Sequence, residues 1–221
     1  MPLGAWAALA TAAPGSAPVR RLHWVRQVHG GTVVVVPAGD DRAHRHPHDP
    51  PAPLTAVLDG EADALVSAAP STGLAVLTAD CASIALGSPE GVFGAVHAGW
   101  RGLVADVVGH AVAAMTDLGA SEVVGALGPC IHPECYEFSE RDLDRVAAHL
   151  GDRVRGRTEG GRPALDLPAA VASALKAAGA RQHVTAAPCT GCGGGYFSHR
   201  VRGDSGRQAL VVWSSTEGHD G

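Results

Sequence analysis

The stretch GLAVLTADCASIALGSPEGVFGAVHAGWRG, residues 73–102, contains the strongest indications of the fold. Three apolar runs lie within it, at 73–79, 82–86 and 92–97, and each has the length and composition of a buried strand. The run ADALVSA at 62–68 precedes them and has the same character. These runs predict strands in the middle of the chain.

The next segment changes to helical spacing. Its apolar residues predict one helix that ends near Gly119, and they are Leu103, Val104, Val107, Val108, Ala111, Met115 and Leu118. Ser139 opens the sequence S-E-R-D, a capping box in which Asp replaces the usual Glu. The apolar residues after it line one face of a second predicted helix, which ends at Gly151.

A third helix is predicted over 167–178, because Asp166 is a suitable N-cap and Gly179 follows its end. The β-branched run TVVVVP at 32–37 predicts a buried strand. Further strands are predicted at 122–127, 181–187 and 209–213. Strands and helices do not alternate strictly, so the predicted fold class is α+β (mixed α/β), one domain over residues 1–221 with layered sheets flanked by helices.

The composition is that of an ordinary globular protein. Hydrophobic residues make up 46%, charged residues 18% and aromatic residues only 4%, so the core is predicted to consist mainly of Ala, Val and Leu. The formal net charge of −5, without a long basic run, argues against a nucleic-acid partner. No apolar stretch reaches the ~20 residues that span a bilayer, so no membrane partner is predicted either. The oligomeric state is left open.

The N-terminal segment, residues 1–20, is rich in Ala and Pro and is predicted to be poorly ordered. Its arginines follow the apolar part, which is the reverse of the order in a signal peptide. An odd number of cysteines, five, suits a reducing compartment, so a cytoplasmic location is predicted. A polar stretch at 40–53, rich in Pro, Asp and His, is predicted to be a loop.

Three residues suited to metal binding lie at the ends of predicted elements. His29 precedes the first strong strand, Cys81 follows the strand at 73–79, and His97 ends the strand at 92–97. Two imidazoles and a thiolate are suitable ligands of zinc, and three protein ligands leave a fourth position open for water or substrate. A metal-free Cys–His nucleophilic pair uses the same residue types, and spacing alone does not separate the two interpretations.

The other four cysteines support a competing metal hypothesis. Cys130 and Cys135 are separated by four residues, and Cys189 and Cys192 form C-T-G-C. Paired cysteines with such gaps can hold a structural zinc ion, although the wide first gap and the neighbouring proline and glycines weaken the pattern.

Several unusual blocks occur in one order along the chain: LHWVRQVHGGTVV, EADALVS, GLAVLTADCASIAL, GAVHAGWRG, GPCIHPECYEF and YFSHRVRGDSGRQ. Over residues 22 to 213 they resemble the laccase-domain family, whose YfiH-type members are called polyphenol oxidases and also purine nucleoside phosphorylases. The resemblance implies that His29, Cys81 and His97 are the metal ligands, with zinc as the expected ion and copper as the alternative. It also implies packed β layers flanked by helices, similar to cytotoxic necrotizing factor catalytic domains.

The older family name can be tested against the ligands of this chain. A multicopper oxidase needs about ten histidines in paired H-x-H motifs. The only such series here is His44, His46 and His48, in the polar loop rather than at strand ends. One His–His–Cys site does not hold four coppers, so laccase chemistry is not expected.

The resemblance therefore implies a small-molecule nucleoside and phosphate as substrates. Water activated by zinc would deaminate adenosine, whereas phosphorolysis needs positive charge for phosphate and a proton for the departing base. Arg101 is the main candidate for the anion, and His199 and Arg200 are further substrate-binding candidates. Asp80, beside Cys81, is a candidate acid/base or supporting group, or else it ends the strand by hydrogen bonding to the backbone.

Two polar residues near the proposed ligands have ambiguous roles. Gln27 is either a substrate-orienting or a turn-stabilising residue, and Asp63 has the same ambiguity. The N-terminal block that family members carry before QVHG, with an Arg-Gly-Gly type of motif, is not recognisable, which bears on substrate range. Two other functional classes stay open: a Cys81–His97 hydrolase of amide or peptidoglycan-related substrates, and a metal-binding relative without turnover.

Overall fold

The computed structural model describes residues 19, 21–37, 55–70, 72–183 and 187–213. The loop predicted at 40–53, with His44, His46 and His48, lies outside the described residues, as do residues 1–18 and 20 of the N-terminal segment. The strands are β1 (Arg21–Arg26), β2 (Val33–Val35), β3 (Thr55–Glu61), β4 (Ala64–Ser67), β5 (Thr72–Thr78), β6 (Ala82–Gly87), β7 (Phe93–Ala98), β8 (Val124–Leu127), β9 (Arg155–Arg157), β10 (Pro163–Leu165), β11 (Arg181–His183) and β12 (Gln208–Trp213). The helices are α1 (Trp100–Val104), α2 (Val107–Asp117), α3 (Glu140–Leu150), α4 (Leu167–Ala177) and α5 (His199–Arg202).

Two mixed sheets dominate the fold. The larger has the strand order β11-β8-β6-β7-β4-β2, and the smaller has the order β12-β5-β1-β3. Strands β6 and β7 are antiparallel neighbours at the centre of the larger sheet, whereas β1 is parallel to both β3 and β5. A short antiparallel pair, β9 with β10, lies apart from both sheets.

The larger sheet is covered on both faces. One apolar cluster joins it to the smaller sheet and includes Leu65, Leu74, Phe93 and Leu210. A second cluster packs α1 to α4 against its other face. Because both faces are covered, β4 and β7 are buried along their whole length, which explains their continuous apolar sequence. The predicted class, mixed α/β with layered sheets flanked by helices, is confirmed.

Two predicted helix starts are confirmed by their N-caps. Ser139 accepts a hydrogen bond from the backbone N–H of Asp142 and donates its hydroxyl to the Asp142 carboxylate. Asp166 caps α4 through the backbone N–H of Ala169. Every helix in the described part of the chain is too short or too polar to span a bilayer.

Two predictions differ from the structure. The helix predicted from Leu103 to Leu118 is two helices, interrupted where Asp106 adopts a left-handed conformation (φ 55°) and caps α2 through the N–H of Gly109. This break turns the Ala105 carbonyl towards Gly31, where a β-carbon would lie 2.2 Å from the carbonyl oxygen. The run at 32–37 is not a buried strand but the edge strand β2, in which Val35 is 47% exposed.

Candidate active site

The structure brings His29, Cys81 and His97 together. One ligand atom from each side chain lies within 4.8 Å of the other two, and the Cys81 sulfur is 3.9 Å from Nε2 of His29. The two imidazole rings meet edge to face, with ring centroids 4.9 Å apart. Three segments distant in sequence thus supply one cluster of donor atoms.

Strand pairing explains the positions of Cys81 and His97. Within the antiparallel pair β6–β7, Ser83 lies opposite His97, so Cys81 at the entrance to β6 lies beside the end of β7. His29 belongs to the loop between β1 and β2 and has a left-handed backbone conformation (φ 61°). A non-glycine residue rarely adopts this conformation unless its surroundings impose it.

Asp63 imposes that conformation. Its fully buried carboxylate accepts hydrogen bonds from the backbone N–H groups of Val28 (3.2 Å), His29 (2.9 Å) and Gly30 (2.6 Å). The same carboxylate lies 2.8 Å from Nδ1 of His97. One side chain therefore contacts both histidines. Its bonds to the backbone of the His29 loop support the turn-stabilising alternative for Asp63, and its substrate-orienting role stays a prediction.

Opposite charges in this cluster stabilise one another and shift three pKa values. Burial alone would raise the pKa of Asp63, but hydrogen bonds from His97, Gly30 and His29 lower it overall. Burial acts to lower the pKa of His97, yet the Asp63 carboxylate and then Cys81 raise it to about 9. Burial acts to raise the pKa of Cys81, yet His29 and His97 lower it to about 6. The thiolate is therefore the favoured form of Cys81 at neutral pH.

The low pKa of Cys81 has a measurable consequence. In metal-free protein the alkylation rate of Cys81 by iodoacetamide is expected to level off above about pH 6 and to fall tenfold for each unit below it. Peptide mass spectrometry after timed alkylation measures this rate. Cys130 is the internal control, because it is buried and burial raises its pKa, so it should stay unlabelled. A Cys81 rate that keeps rising up to about pH 8.5, as for an ordinary thiol, would contradict the prediction.

Gly99 lines this cluster where a side chain would not fit. A β-carbon there would lie 2.9 Å from Cδ2 of His29 and 3.2 Å from the sulfur of Cys81. Gly99→Ala is expected to lower the free energy of unfolding by about 1–3 kcal/mol, through overpacking, and to weaken metal binding. Urea unfolding and metal titration measure the two effects. Gly87→Ala is the matched control, since its β-carbon would meet no atom within 4 Å, and equal losses in both variants would contradict this interpretation.

Asp80 joins three segments next to Cys81. It is buried and has a positive φ of 94°. Its carboxylate accepts hydrogen bonds from the hydroxyl of Thr190 (2.7 Å) and the backbone N–H of Arg200 (2.6 Å), while its carbonyl accepts one from Ile131 (2.9 Å). Because both carboxylate oxygens are engaged, this geometry supports a positioning role, and the predicted acid/base role is left untested.

A row of three aromatic rings lies between Arg101 and Arg200, the two arginines predicted to bind substrate. Trp100 meets Phe138 edge to face, and Phe138 meets Tyr136 in the same way. The guanidinium of Arg101 lies 4.6 Å from the Trp100 ring centroid, and that of Arg200 lies 4.9 Å from the Tyr136 centroid. Both arginines are exposed, so both are available to an anion.

Tyr136, at one end of this row, is buried and is affected electrostatically by Cys81. Burial raises the pKa of its hydroxyl above the usual range, and the charges of Cys81, Arg200, Asp80 and Arg101 also act on it. The pKa of this buried phenol therefore depends on the charges of these four groups. The sequence did not identify Tyr136 or Gly99 as site residues. The only sequence feature that could have indicated them is their position within the blocks CYEF and HAGWRG.

The remaining predicted site residues are His199 and Gln27. His199 is the exposed first residue of α5, next to Arg200. Both ends of the Gln27 amide bond to the main chain of Leu77, donating to its carbonyl (2.6 Å) and accepting from its N–H (2.8 Å). This pairing ties the end of β1 to β5 and supports the structural alternative for Gln27, and its substrate role stays a prediction.

The donor set can be compared with what a metal ion requires. Tetrahedral zinc with bonds of about 2.0–2.3 Å holds its ligand atoms roughly 3.3–3.8 Å apart, close to the 3.9 Å between Cys81 and His29. Since Asp63 holds Nδ1 of His97, only Nε2 is free to bind, as in the carboxylate–histidine pairs of metal sites. The residues fit a zinc ion with one open position.

Comparison with known proteins finds one matching family model and relatives that share one name. A family model described as multi-copper polyphenol oxidoreductase laccase matches residues 7–215. A purine nucleoside phosphorylase of Streptomyces coelicolor is 38% identical over 198 residues, which cover 87% of this chain and 75% of that protein. One from Streptomyces griseus is 40% identical over 195 residues, covering 86% and 73%.

Solved structures share the fold. The crystal structure of YlmD from Geobacillus stearothermophilus superimposes with a TM-score of 0.71 at 30% identity, covering 90% of this chain and 75% of the other. A Neisseria meningitidis protein of the DUF152 family has a TM-score of 0.70 at 25% identity, with 88% and 75% covered. The architecture described above is thus one that related proteins adopt.

Proposed function

Since the chain belongs to the laccase-domain family, whose model matches nearly all of it, we propose that it is a metal-dependent purine nucleoside phosphorylase. The observation that carries the proposal is the cluster of His29, Cys81 and His97, oriented by Asp63. The exposed Arg101 follows two residues after Gly99, which lines this cluster. The names of its relatives supply the substrate class, a purine nucleoside with phosphate.

We assign zinc to the cluster, held by His29, Cys81 and His97. When bound, zinc supplies positive charge and Lewis acidity at the open position. The chain itself keeps Cys81 as a thiolate through its two histidine neighbours and keeps His97 oriented through Asp63. Copper is the other ion that this ligand set accepts.

Phosphorolysis sets clear demands on the surrounding residues. A phosphate oxygen forms a bond to the anomeric carbon, the bond from that carbon to the purine nitrogen breaks, and the departing base takes up a proton. We propose Arg101 and Arg200, whose guanidinium groups lie against the rings of Trp100 and Tyr136, as the residues that bind the phosphate. His199, next to Arg200 on the exposed surface, completes the proposed anion-binding set.

Removal of the Arg101 charge should weaken phosphate use. Arg101→Gln is expected to raise KM for phosphate by about 10- to 100-fold, the value of a charge-assisted hydrogen bond of about 1.5–3 kcal/mol. Initial rates at varied phosphate and saturating nucleoside measure this. Arg145→Gln is the matched control, since Arg145 is also exposed and lies 5.5 Å from the same Trp100 ring. Equal KM values in both variants would remove Arg101 from the site.

The reaction itself is tested by incubating purified protein with adenosine and phosphate and determining its metal content on the same sample. Adenine and ribose-1-phosphate report phosphorolysis, and inosine reports the adenosine deaminase activity that we include in the proposal. Inosine and methylthioadenosine as substrates define the range. No product at any metal loading would refute the phosphorylase assignment and leave the hydrolase and a metal-binding relative without turnover.

A second candidate function rests on the same geometry. A thiolate 3.9 Å from one histidine, with a second histidine oriented by Asp63, also resembles a nucleophile with its base. A Cys81–His97 hydrolase of amide or peptidoglycan-related substrates would use no metal. If a thiol-reactive amide probe labels Cys81 equally with and without chelator, the hydrolase is favoured, whereas labelling only after chelation favours zinc.

Laccase chemistry is not part of the proposal. Among the described residues, the groups suited to a metal are the His29–Cys81–His97 cluster and two overlapping groups around Cys189. None of these three groups contains the H-x-H histidine pairs of a trinuclear copper centre.

A further inference from the structure

A second group of thiols lies on the other side of the Asp80 junction. Cys135 ends a short 3-10 turn, Pro133–Cys135, while Cys189 and Cys192 belong to the segment before α5. Their three sulfur atoms lie within 4.8 Å of one another. Cys130, the fourth cysteine of the competing sequence hypothesis, is not in this group but pairs with Cys189 through the backbone. A four-cysteine site is therefore not what the structure assembles.

Nitrogen and oxygen donors adjoin the three thiols. A ring nitrogen of His132 and a carboxylate oxygen of Glu134 both lie within 4.8 Å of the Cys189 sulfur. The Glu134 carboxylate is 3.6 Å from the Cys192 sulfur and 3.7 Å from Nδ1 of His132. Nε2 of His132 is buried without a hydrogen-bond partner among the described residues. A buried polar atom without a partner often indicates a missing ion or water.

The backbone is shaped around this group. A β-carbon at Gly191 would lie 2.9 Å from the Cys135 sulfur, so glycine is required where the segment crosses the thiols. The backbone N–H of His132 donates to the Cys189 sulfur at 3.3 Å, a contact that stabilises a thiolate. Arg202 donates to the carbonyls of Gly191 (2.8 Å) and Thr190 (3.2 Å) and holds the segment in place.

We propose that Cys135, Cys189 and Cys192 bind a second, structural zinc ion. His132, whose ring lies within 4.8 Å of the Cys189 sulfur but not of all three, would turn towards the ion as the fourth ligand. Three thiolates and one imidazole form a closed set that leaves no position for substrate. Binding releases the thiol protons to solvent and requires no redox step. The proposal is independent of the proposed reaction.

Such a site would stabilise the position of Cys81 through Asp80. Thr190 lies between two of the ligands in sequence, and its hydroxyl donates to the Asp80 carboxylate at 2.7 Å. Asp80 is adjacent to Cys81 and also accepts the N–H of Arg200. A zinc ion that joins the segments at 130–135 and 189–192 would therefore fix Asp80, and through it the position of Cys81.

Metal analysis tests the proposal without relying on activity. Protein purified under reducing conditions with zinc should contain two equivalents per chain, Cys81→Ala one, and the double variant Cys81→Ala/Cys192→Ser none. Cys81→Ala/Cys130→Ala is the matched control and should keep its one equivalent, because Cys130 is a thiol outside the group. No zinc in Cys81→Ala, or equal zinc in both double variants, would overturn the proposal.

Cobalt provides a second readout that also detects misfolding. In the Cys81→Ala background, bound Co²⁺ should show thiolate-to-cobalt charge-transfer bands and intense visible bands of tetrahedral coordination, because the thiols of the second group remain in place. Circular dichroism should show that the Cys192→Ser double variant is folded while these bands are lost. A disulfide between Cys189 and either Cys135 or Cys192, found by mass spectrometry of unreduced protein, would overturn the assignment.

Discussion

Cys81→Ala protein is expected to fold but to lose the metal ion proposed for the His29–Cys81–His97 cluster, and with it the proposed phosphorolysis of nucleosides. The thiolate is the only anionic donor of the cluster, so its removal leaves two imidazoles facing a cation. Loss of a residue that merely supports a metal ligand lowers metal affinity by up to ~100-fold. Because Cys81 is proposed as a ligand itself, we expect metal affinity at this site to fall by more than that. Cys81 is half-buried at a strand entrance, so the cost in stability should be about 1 kcal/mol.

Calorimetric zinc titration and the adenosine–phosphate assay measure these effects on one preparation. Cys130→Ala is the control, because it removes a buried thiol that lies outside both metal-ligand groups. Unchanged zinc binding at the cluster would remove Cys81 from the ligand set. Loss of activity with full zinc retention would favour Cys81 as a nucleophile.

Asp63→Asn should cause the second large effect, on stability as well as on metal binding. The carboxylate is fully buried and accepts from three backbone N–H groups and from His97. In the variant, the amide nitrogen of the new side chain would face N–H donors, and His97 would lose the carboxylate that pairs with its Nδ1. We expect the free energy of unfolding to fall by about 3–5 kcal/mol, as for a broken buried ion pair. Metal affinity should fall by about 10- to 100-fold, because His97 loses its orienting partner.

The pH dependence of stability separates Asp63 from an ordinary core residue. Its pKa is lowered in the folded protein, so its contribution is fully present above the unfolded pKa of about 4 and is lost as the pH falls through the folded pKa. The Asp63→Asn protein should therefore lose less stability than the parent protein between neutral and acidic pH. Identical slopes of stability against pH in the two proteins would contradict this account.

Asp59→Asn is the matched control for Asp63→Asn. Asp59 also pairs with a histidine, His23, at 2.9 Å, but the pair joins β1 to β3 and Asp59 is partly exposed. We expect this variant to lose less stability, since solvent compensates a partly exposed group, and to bind zinc with unchanged affinity. A similar loss of zinc affinity in both variants would mean that general destabilisation, rather than orientation of His97, explains the effect.

Local sequence predicts the elements whose signals are local. The predicted caps at Ser139 and Asp166 are confirmed because a side chain and the backbone three residues later form the whole motif. The prediction of a buried strand at β2 is wrong, because burial depends on what covers a strand and not on its own valines. The break at Asp106 is not predictable from helical spacing, because the approach of Ala105 to Gly31 involves a distant loop.

The sequence by itself determined the class of the fold, the family and the three residues that form the candidate metal cluster. These follow from apolar periodicity, from capping residues and from short blocks that are readable along one chain. Only the tertiary structure decided that Asp63 positions both histidines, that Asp80 joins three segments, and that Cys135, Cys189 and Cys192 meet without Cys130. Each of these relations joins segments that are distant along the chain, and sheet pairing, rather than any local preference, brings such segments together.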